Sequence, residues 1–137
     1  FFQGLLLFQL MSLTKIAEDY KKYEKSTVMK KLAESALQGQ YIGQSSSATL
    51  EEIIEELSIL KINRGSFIFD AGCGNGAFAF SLAKEFDFRV FGVDLSPLVI
   101  ENANKRAQDL GLHQRCQFTQ DDFSLYQTEY RFDLVLA

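Results

Sequence analysis

The chain has 137 residues, 47% of them hydrophobic, and 14 basic against 18 acidic side chains give a formal net charge of −4. This suits one domain with a sizeable core, and the mild acidity gives no overall electrostatic footprint for nucleic acid. The two cysteines, Cys73 and Cys116, stand in no metal-ligand spacing and read as reduced thiols of a cytoplasmic protein.

Residues 1–10 are apolar and precede Met11. They lack the positive lead and small-residue cleavage site of a signal peptide and are too short to span a bilayer. Phe2-Gln3-Gly4 resembles the scar of a tag-cleavage site, so residues 1–10 read as a tag or vector remnant. Residues 11–47 form an amino-terminal segment. Leu13, Ile16, Tyr20, Tyr23, Val28 and Leu32 have helical spacing over 12–37, and 39–47 is a polar, glycine- and serine-bearing loop. From its position, the Tyr41–Ser47 loop is expected to cover a ligand held by the following core, residues 48–137. Thr49 and Glu52 make a capping box for a helix carrying Leu50, Ile53, Ile54 and Leu57 and ending at Asn63-Arg-Gly65. Glu51, Glu52, Glu55 and Glu56 read as its solvated face.

From Phe67 the pattern alternates: strand 67–71, helix 76–86, strand 88–93, helix 97–110, strand 115–119 and strand 132–137. Alternation of this kind predicts an α/β fold with a doubly wound parallel sheet and right-handed crossovers. Phe78, Leu82 and Phe86 are assigned to core packing, as are Ile100, Ala103, Ala107 and Leu110 on the next helix, which stops at Gly111. The single histidine, His113, follows that stop and reads as a surface residue. The strand at 132–137 is expected to present an open edge, through which the chain can self-associate.

Three strand ends carry acids. Asp70-Ala-Gly-Cys-Gly-Asn-Gly76 joins the first strand to a helix. Gly72 and Gly74 permit positive φ and let the backbone approach a ligand, and Gly76 lets the helix pack tightly. The spacing Gly72-x-Gly74-x-x-Ala77 also satisfies the looser dinucleotide fingerprint. Asp70 bears on the choice: two unit charges about 4 Å apart interact by roughly 4 kcal/mol at an effective dielectric of 20, which favours a cationic ligand over a bare pyrophosphate. Asp94 ends Val90-Phe-Gly-Val-Asp94, about twenty residues beyond the glycines, where an acid can bind ribose hydroxyls. Ser96-Pro97 then begins a helix as N-cap and first-turn proline. Asp121 and Asp122 end the third β-prone run, where a carboxylate can accept from an adenine amine.

These stretches, with Phe132-Asp-Leu-Val-Leu136, resemble the successive motifs of class I S-adenosylmethionine-dependent methyltransferases from about Leu50 to the last residue. The resemblance implies a Rossmann-like fold, incomplete after its fourth strand, and S-adenosylmethionine as cofactor. It implies that Asp70, Ala71, Gly72, Cys73, Gly74 and Gly76 cradle the methionine part. Asp94 would bind the ribose, Leu95 would lie along the adenosine, and Asp122 with the Phe123 N–H would meet the adenine. Asp121 stands where the family often has glycine, so the choice within the acid pair stays open. A small-molecule acceptor is expected, with RNA and protein acceptors open, no membrane partner and no metal. No catalytic base is assigned. The competing readings are an NAD-binding dehydrogenase-type domain and a cofactor-binding fragment without catalysis.

Overall fold

The computed structural model describes residues 49–137 together with Ser26, Thr27 and Lys31. The expectations for residues 1–10, for the helix over 12–37 and for the 39–47 loop lie outside the described residues, save at those three positions.

Helix α1, Leu50–Ile59, begins at the expected capping box. The Glu52 N–H donates to Thr49 Oγ1 at 3.2 Å, and the Thr49 N–H donates to the Glu52 carboxylate at 2.8 Å. The helix ends sooner than Asn63-Arg-Gly65. The Leu60 N–H closes it on Glu56 O, and Lys61 takes a left-handed φ of 54°. Gly65, with φ 80°, serves the entry to the next strand instead, its N–H reaching Phe86 O at 3.3 Å.

Strand β1 (Phe67–Ala71), helix α2 (Ala77–Phe86), strand β2 (Arg89–Asp94), helix α3 (Pro97–Asp109) and strand β3 (Cys116–Gln120) follow in alternation, and strand β4 is Leu134–Leu136. All strand pairs are parallel, in the order β3-β2-β1-β4. The chain therefore reverses its direction of growth across the sheet between β1 and β4, and ligands of such sheets bind at the carboxyl strand ends beside that switch. β4 is shorter than expected and lies at one edge of the described sheet. Asp133 fixes its entry: its carboxylate accepts from Phe67 N at 2.7 Å and its N–H donates to Phe67 O at 2.8 Å.

The register gives the sheet two chemically different faces. Ile68 pairs with Val90, Val90 with Cys116 and Gly92 with Phe118. These positions join Ala79, Phe80, Leu82, Ala83, Ala103 and Ala107 in the buried core on the helical side. The opposite face carries Phe67, Phe69 and Phe91, which meet Tyr126, Tyr130 and Phe132 from the segment between β3 and β4. Ring centroids there lie 4.6 to 6.4 Å apart. Such pairs add about 0.5–1.5 kcal/mol each beyond their area. The sequence pattern predicts a loop for Tyr126 and Tyr130 and places Phe132 at the start of the last strand.

Two helix faces follow expectation in most positions and depart at Phe78 and Leu110. In α2 the buried set is Ala77, Ala79, Phe80, Leu82 and Ala83, with Phe78 and Phe86 half-buried. Phe80 meets Phe118 edge-on at 5.5 Å, and Phe86 packs against the core from its half-buried position. In α3, Val99 joins Ile100, Ala103 and Ala107 inside, while Leu110 beyond the helix end is 39% exposed. Gly111 does stop that helix, with φ 66°. His113 is exposed, as expected.

Candidate functional site

The carboxyl ends of β1, β2 and β3 lie side by side and bring three of the four acids to one edge. Asp70 sits opposite Gly92 in the register, and Asp94 is two residues further along the same face of β2. The N–H of Asp121 donates to Asp94 O at 3.1 Å, which ties the third strand end to the second.

The turn 72–76 adopts the conformation its glycines allow. Gly72, Gly74 and Gly76 have φ of 78°, 54° and 75°. A Cβ on Gly72 would meet nothing within 4 Å, so the turn is open above that residue. A Cβ on Gly76 would stand 2.8 Å from Phe118 Cζ and 2.9 Å from Phe80 Cε2, which accounts for the tight seat of α2.

The turn differs from expectation in where its amides go. Instead of facing a ligand, they are spent inside the protein. Gly72 N and Cys73 N both donate to Val93 O, at 2.8 and 3.1 Å, and Gly76 N donates to Cys73 O at 3.1 Å. Gly74 N donates to Asp94 Oδ2 at 3.0 Å, and Ala77 N, at the start of α2, to Asn75 Oδ1 at 3.2 Å. A pyrophosphate is held at a helix N-terminus by unused N–H groups. Here the N–H groups of Gly72, Cys73, Gly74, Gly76 and Ala77 are committed elsewhere, and carboxylates stand beside the turn.

Asp70 is the anomalous group. It is 9% exposed, and among the described residues its carboxyl has neither a hydrogen-bond donor nor a basic partner. Burial, and secondarily the Asp94 carboxylate, raise its pKa from 3.8 to about 7. A carboxyl buried without compensation is costly unless a cation or a proton is supplied. Asp94 differs: its Oδ1 accepts from Ser96 N at 2.9 Å while Oδ2 accepts from Gly74 N. Each oxygen keeps a second acceptor site, so binding to a ribose hydroxyl remains compatible with these bonds.

The remaining expected residues are placed less uniformly. Ala71 ends β1, and Leu95 lies just past β2, its carbonyl accepting from Gln120 Nε2 at 3.4 Å. Asp121 is exposed and accepts from its neighbour's N–H, Asp122 N, at 2.8 Å. Asp122 turns into its own loop, accepting from Ser124 N and Oγ, and these bonds hold its carboxyl below the ordinary carboxylate range. Phe123 is 46% exposed. Cys73 is buried and its thiol is pushed far up, first by burial and then by Asp70 and Asp94. It packs into the core beneath the turn.

Three residues that bear on the site lie within the motif stretches, although the sequence alone gives them no role there. Gly92 admits no side chain, since a Cβ would lie 2.6 Å from Phe118 Cδ1 and 2.7 Å from Cys73 Cβ. A glycine inside an otherwise apolar strand is the available signal for such an approach. Gln120 links the ends of β2 and β3 through Leu95 O, and Asn75 caps α2 in place of Gly76. Ser96, by contrast, is expected from the sequence to cap α3 with its side chain. It holds the N-cap position, but its Oγ is buried without a partner among the described residues and its N–H serves Asp94.

Comparison with known proteins accords with this geometry. A family model described as a methyltransferase domain matches residues 62–137, and the chain belongs to that family. A 27-O-demethylrifamycin SV methyltransferase of Amycolatopsis mediterranei is 35% identical over 97 residues, 66% of this chain and 36% of that protein. Phosphoethanolamine N-methyltransferase 1 of Arabidopsis thaliana is 29% identical over 98 residues, 71% of this chain and 19% of that protein. The chain thus spans well under half the length of these relatives. The fold is also that of a SAM-dependent methyltransferase from Thiobacillus denitrificans solved with S-adenosyl-L-homocysteine. That match has a TM-score of 0.55 and 24% identity, and covers 80% of this chain and 42% of the other.

Proposed function

We propose that this chain binds S-adenosylmethionine at the β1–β2–β3 edge and serves methyl transfer to a small-molecule acceptor. The observation that carries this reading is the buried, uncompensated Asp70 beside Asp94, over a turn whose amides are already used. That combination suits a ligand with ammonium and sulfonium charges and opposes a pyrophosphate, so the dehydrogenase reading loses its support.

The residues divide the work by their surroundings. Asp70 would hold the cationic methionine end. Gly72 leaves the room for it, and Asp94 would take the ribose hydroxyls while keeping the turn and the start of α3 in place. Asp121, Asp122 and the Phe123 N–H flank the position an adenine would take. The bound cofactor supplies an electrophilic methyl on sulfur. The protein's part is to hold it in line for an acceptor nucleophile, and positioning of this kind supplies much of the rate. No base is assigned.

The small-molecule acceptor is supported by the relatives named for rifamycin and phosphoethanolamine. A cytoplasmic site of action is supported by two free, buried cysteines. No helix among the described residues is long and apolar enough to cross a membrane.

Calorimetric titration with S-adenosylmethionine, S-adenosylhomocysteine and NADH tests the cofactor. Heat with the first two and none with NADH is expected; the reverse would return the site to the dinucleotide class. An acceptor panel of small amines, hydroxyl compounds and carboxylic acids, run beside RNA and protein substrates, tests the second half. Turnover confined to RNA or protein would overturn the acceptor class.

A further inference from the structure

We infer that the one-sided placement of basic residues makes the carboxyl edge of the sheet an electrostatic funnel that favours S-adenosylmethionine over S-adenosylhomocysteine, the form left after methyl transfer. The inference rests on the cofactor reading above and goes beyond it, because it concerns charges that lie outside the ligand contacts.

Residues 49–137 hold eight basic side chains, and none belongs to a loop at the carboxyl ends of the strands. Arg64, Arg115 and Arg131 precede β1, β3 and β4, and Arg89 opens β2. The strands are parallel, so their starts share one edge. Lys84 stands in the last turn of α2, Lys105 and Arg106 late in α3, and Lys61 just beyond α1; each of these helices runs into a strand start. The contacts agree with this placement. Arg64 Nη1 donates to Glu85 O at 3.2 Å, Arg115 Nη1 donates to Ala83 O at 2.8 Å, and the Arg89 guanidinium lies 4.8 Å from the centre of the Phe67 ring. Arg106 is held in the helical layer, over the Phe80 ring at 5.1 Å. Glu85, Asp87, Asp109, Glu129 and Asp133 offset these bases only in part.

The carboxyl edge carries acids alone among these residues. No charged residue occurs from Ala71 to Ala83, only Glu101 from Leu95 to Asn104, and only Asp121 and Asp122 from Cys116 to Thr128. Asp94, Glu101, Asp121 and Asp122 therefore meet no base at this edge, whatever the protonation of Asp70. Glu101 is exposed in the second turn of α3, near the end of β2. Asp70, nine-tenths buried and without a donor among the described residues, independently marks the same edge for a cation. Charge of one sign gathered around a cleft raises the local concentration of an oppositely charged ligand.

The two forms of the cofactor differ in net charge. Both carry an ammonium and a carboxylate. When the acceptor's electron pair takes the methyl, the electrons of the S–methyl bond stay on sulfur, and the sulfonium becomes a neutral thioether. At pH 7 the first form thus carries about one net positive charge and the second about none. A long-range field acts on the first and hardly on the second, whereas adenine, ribose and the amino acid end are common to both. Salt separates the field from the contacts, since the screening length is about 30 Å at 0.01 M and about 10 Å at 0.1 M.

The test is calorimetric titration of the full 137-residue chain with each compound at pH 7, in about 0.01 M and about 0.3 M salt. The affinity for S-adenosylmethionine should fall about fivefold between the two, and that for S-adenosylhomocysteine by less than about 1.5-fold. Glu101→Lys, at an exposed helix position, should weaken S-adenosylmethionine binding about twofold in low salt and leave S-adenosylhomocysteine binding unchanged. Equal salt dependence for the two compounds would overturn the funnel and leave the cofactor reading intact. Parent-like binding of S-adenosylmethionine by Glu101→Lys in low salt would overturn it too. Absence of binding by both compounds at both salt concentrations would remove the cofactor reading and the funnel together.

Discussion

Replacing Asp70 by Asn should make the free protein more stable while weakening its hold on the cofactor. The folded carboxyl retains its proton up to about pH 7, whereas in the unfolded chain it ionises near 3.8. Between those values the native state binds more protons than the unfolded state, so stability falls as pH rises. The loss is complete above pH 7 and absent below 3.8. At about 1.4 kcal/mol per pH unit, the interval amounts to about 4 kcal/mol. Asp70 is only 9% exposed, so solvent screening takes little from this figure. Asn has the same shape and no charge to lose. Urea unfolding should therefore show Asp70→Asn more stable than the parent by up to about 4 kcal/mol at pH 8, with the gap shrinking below about 1 kcal/mol at pH 4. Parallel stability profiles for the two proteins would refute the reasoning, because they would mean that Asp70 ionises in the folded state as it does in the unfolded one.

Three further outcomes follow from the turn and the core. Gly72→Ala adds a methyl that touches nothing in the free protein, so thermal melts should register only the left-handed backbone cost of about 1 kcal/mol; binding titrations should show the cofactor affinity falling at least about tenfold. Gly76→Ala should cost about 2–4 kcal/mol in denaturant melts, since it combines a φ of 75° with contacts of 2.8 and 2.9 Å to the Phe118 and Phe80 rings. Neither thiol of the folded protein should react with a chromogenic disulfide reagent at pH 8, because burial pushes Cys116 to about 11 and Cys73 higher still, and both should react in urea.

The parts of the fold set by local rules are legible in the sequence alone. The Thr49–Glu52 box, the alternation after Phe67, the Gly111 stop and the strand-end acids each follow from residue types at fixed offsets, and the sheet assembles them as expected. What escapes depends on contacts distant in sequence. Gly92 is required by Cys73 and Phe118, which lie 19 and 26 residues away in the chain. The place of Phe80 in the core depends on Phe118, 38 residues further along the chain. Tyr126 and Tyr130, which cover Phe67, Phe69 and Phe91, come from a stretch whose local pattern shows neither strand nor helix periodicity. Within the site, residue spacing locates the acids and the turn. It gives no means to see that the turn amides are consumed by Val93 O and Asp94, nor that Ser96 donates to Asp94 rather than capping its helix. Those are choices among competing hydrogen-bond partners, made only once the strands are in register.

The central claim is that a buried carboxyl without a partner is kept for a cationic adenosine cofactor, and equilibrium dialysis with radiolabelled S-adenosylmethionine at pH 8, run on the parent and on Asp70→Asn, addresses it most directly. The account predicts saturable one-to-one binding by the parent and at least about tenfold weaker binding by the variant, despite its greater stability. Equal binding by the two, or no retention by the folded parent, would contradict it.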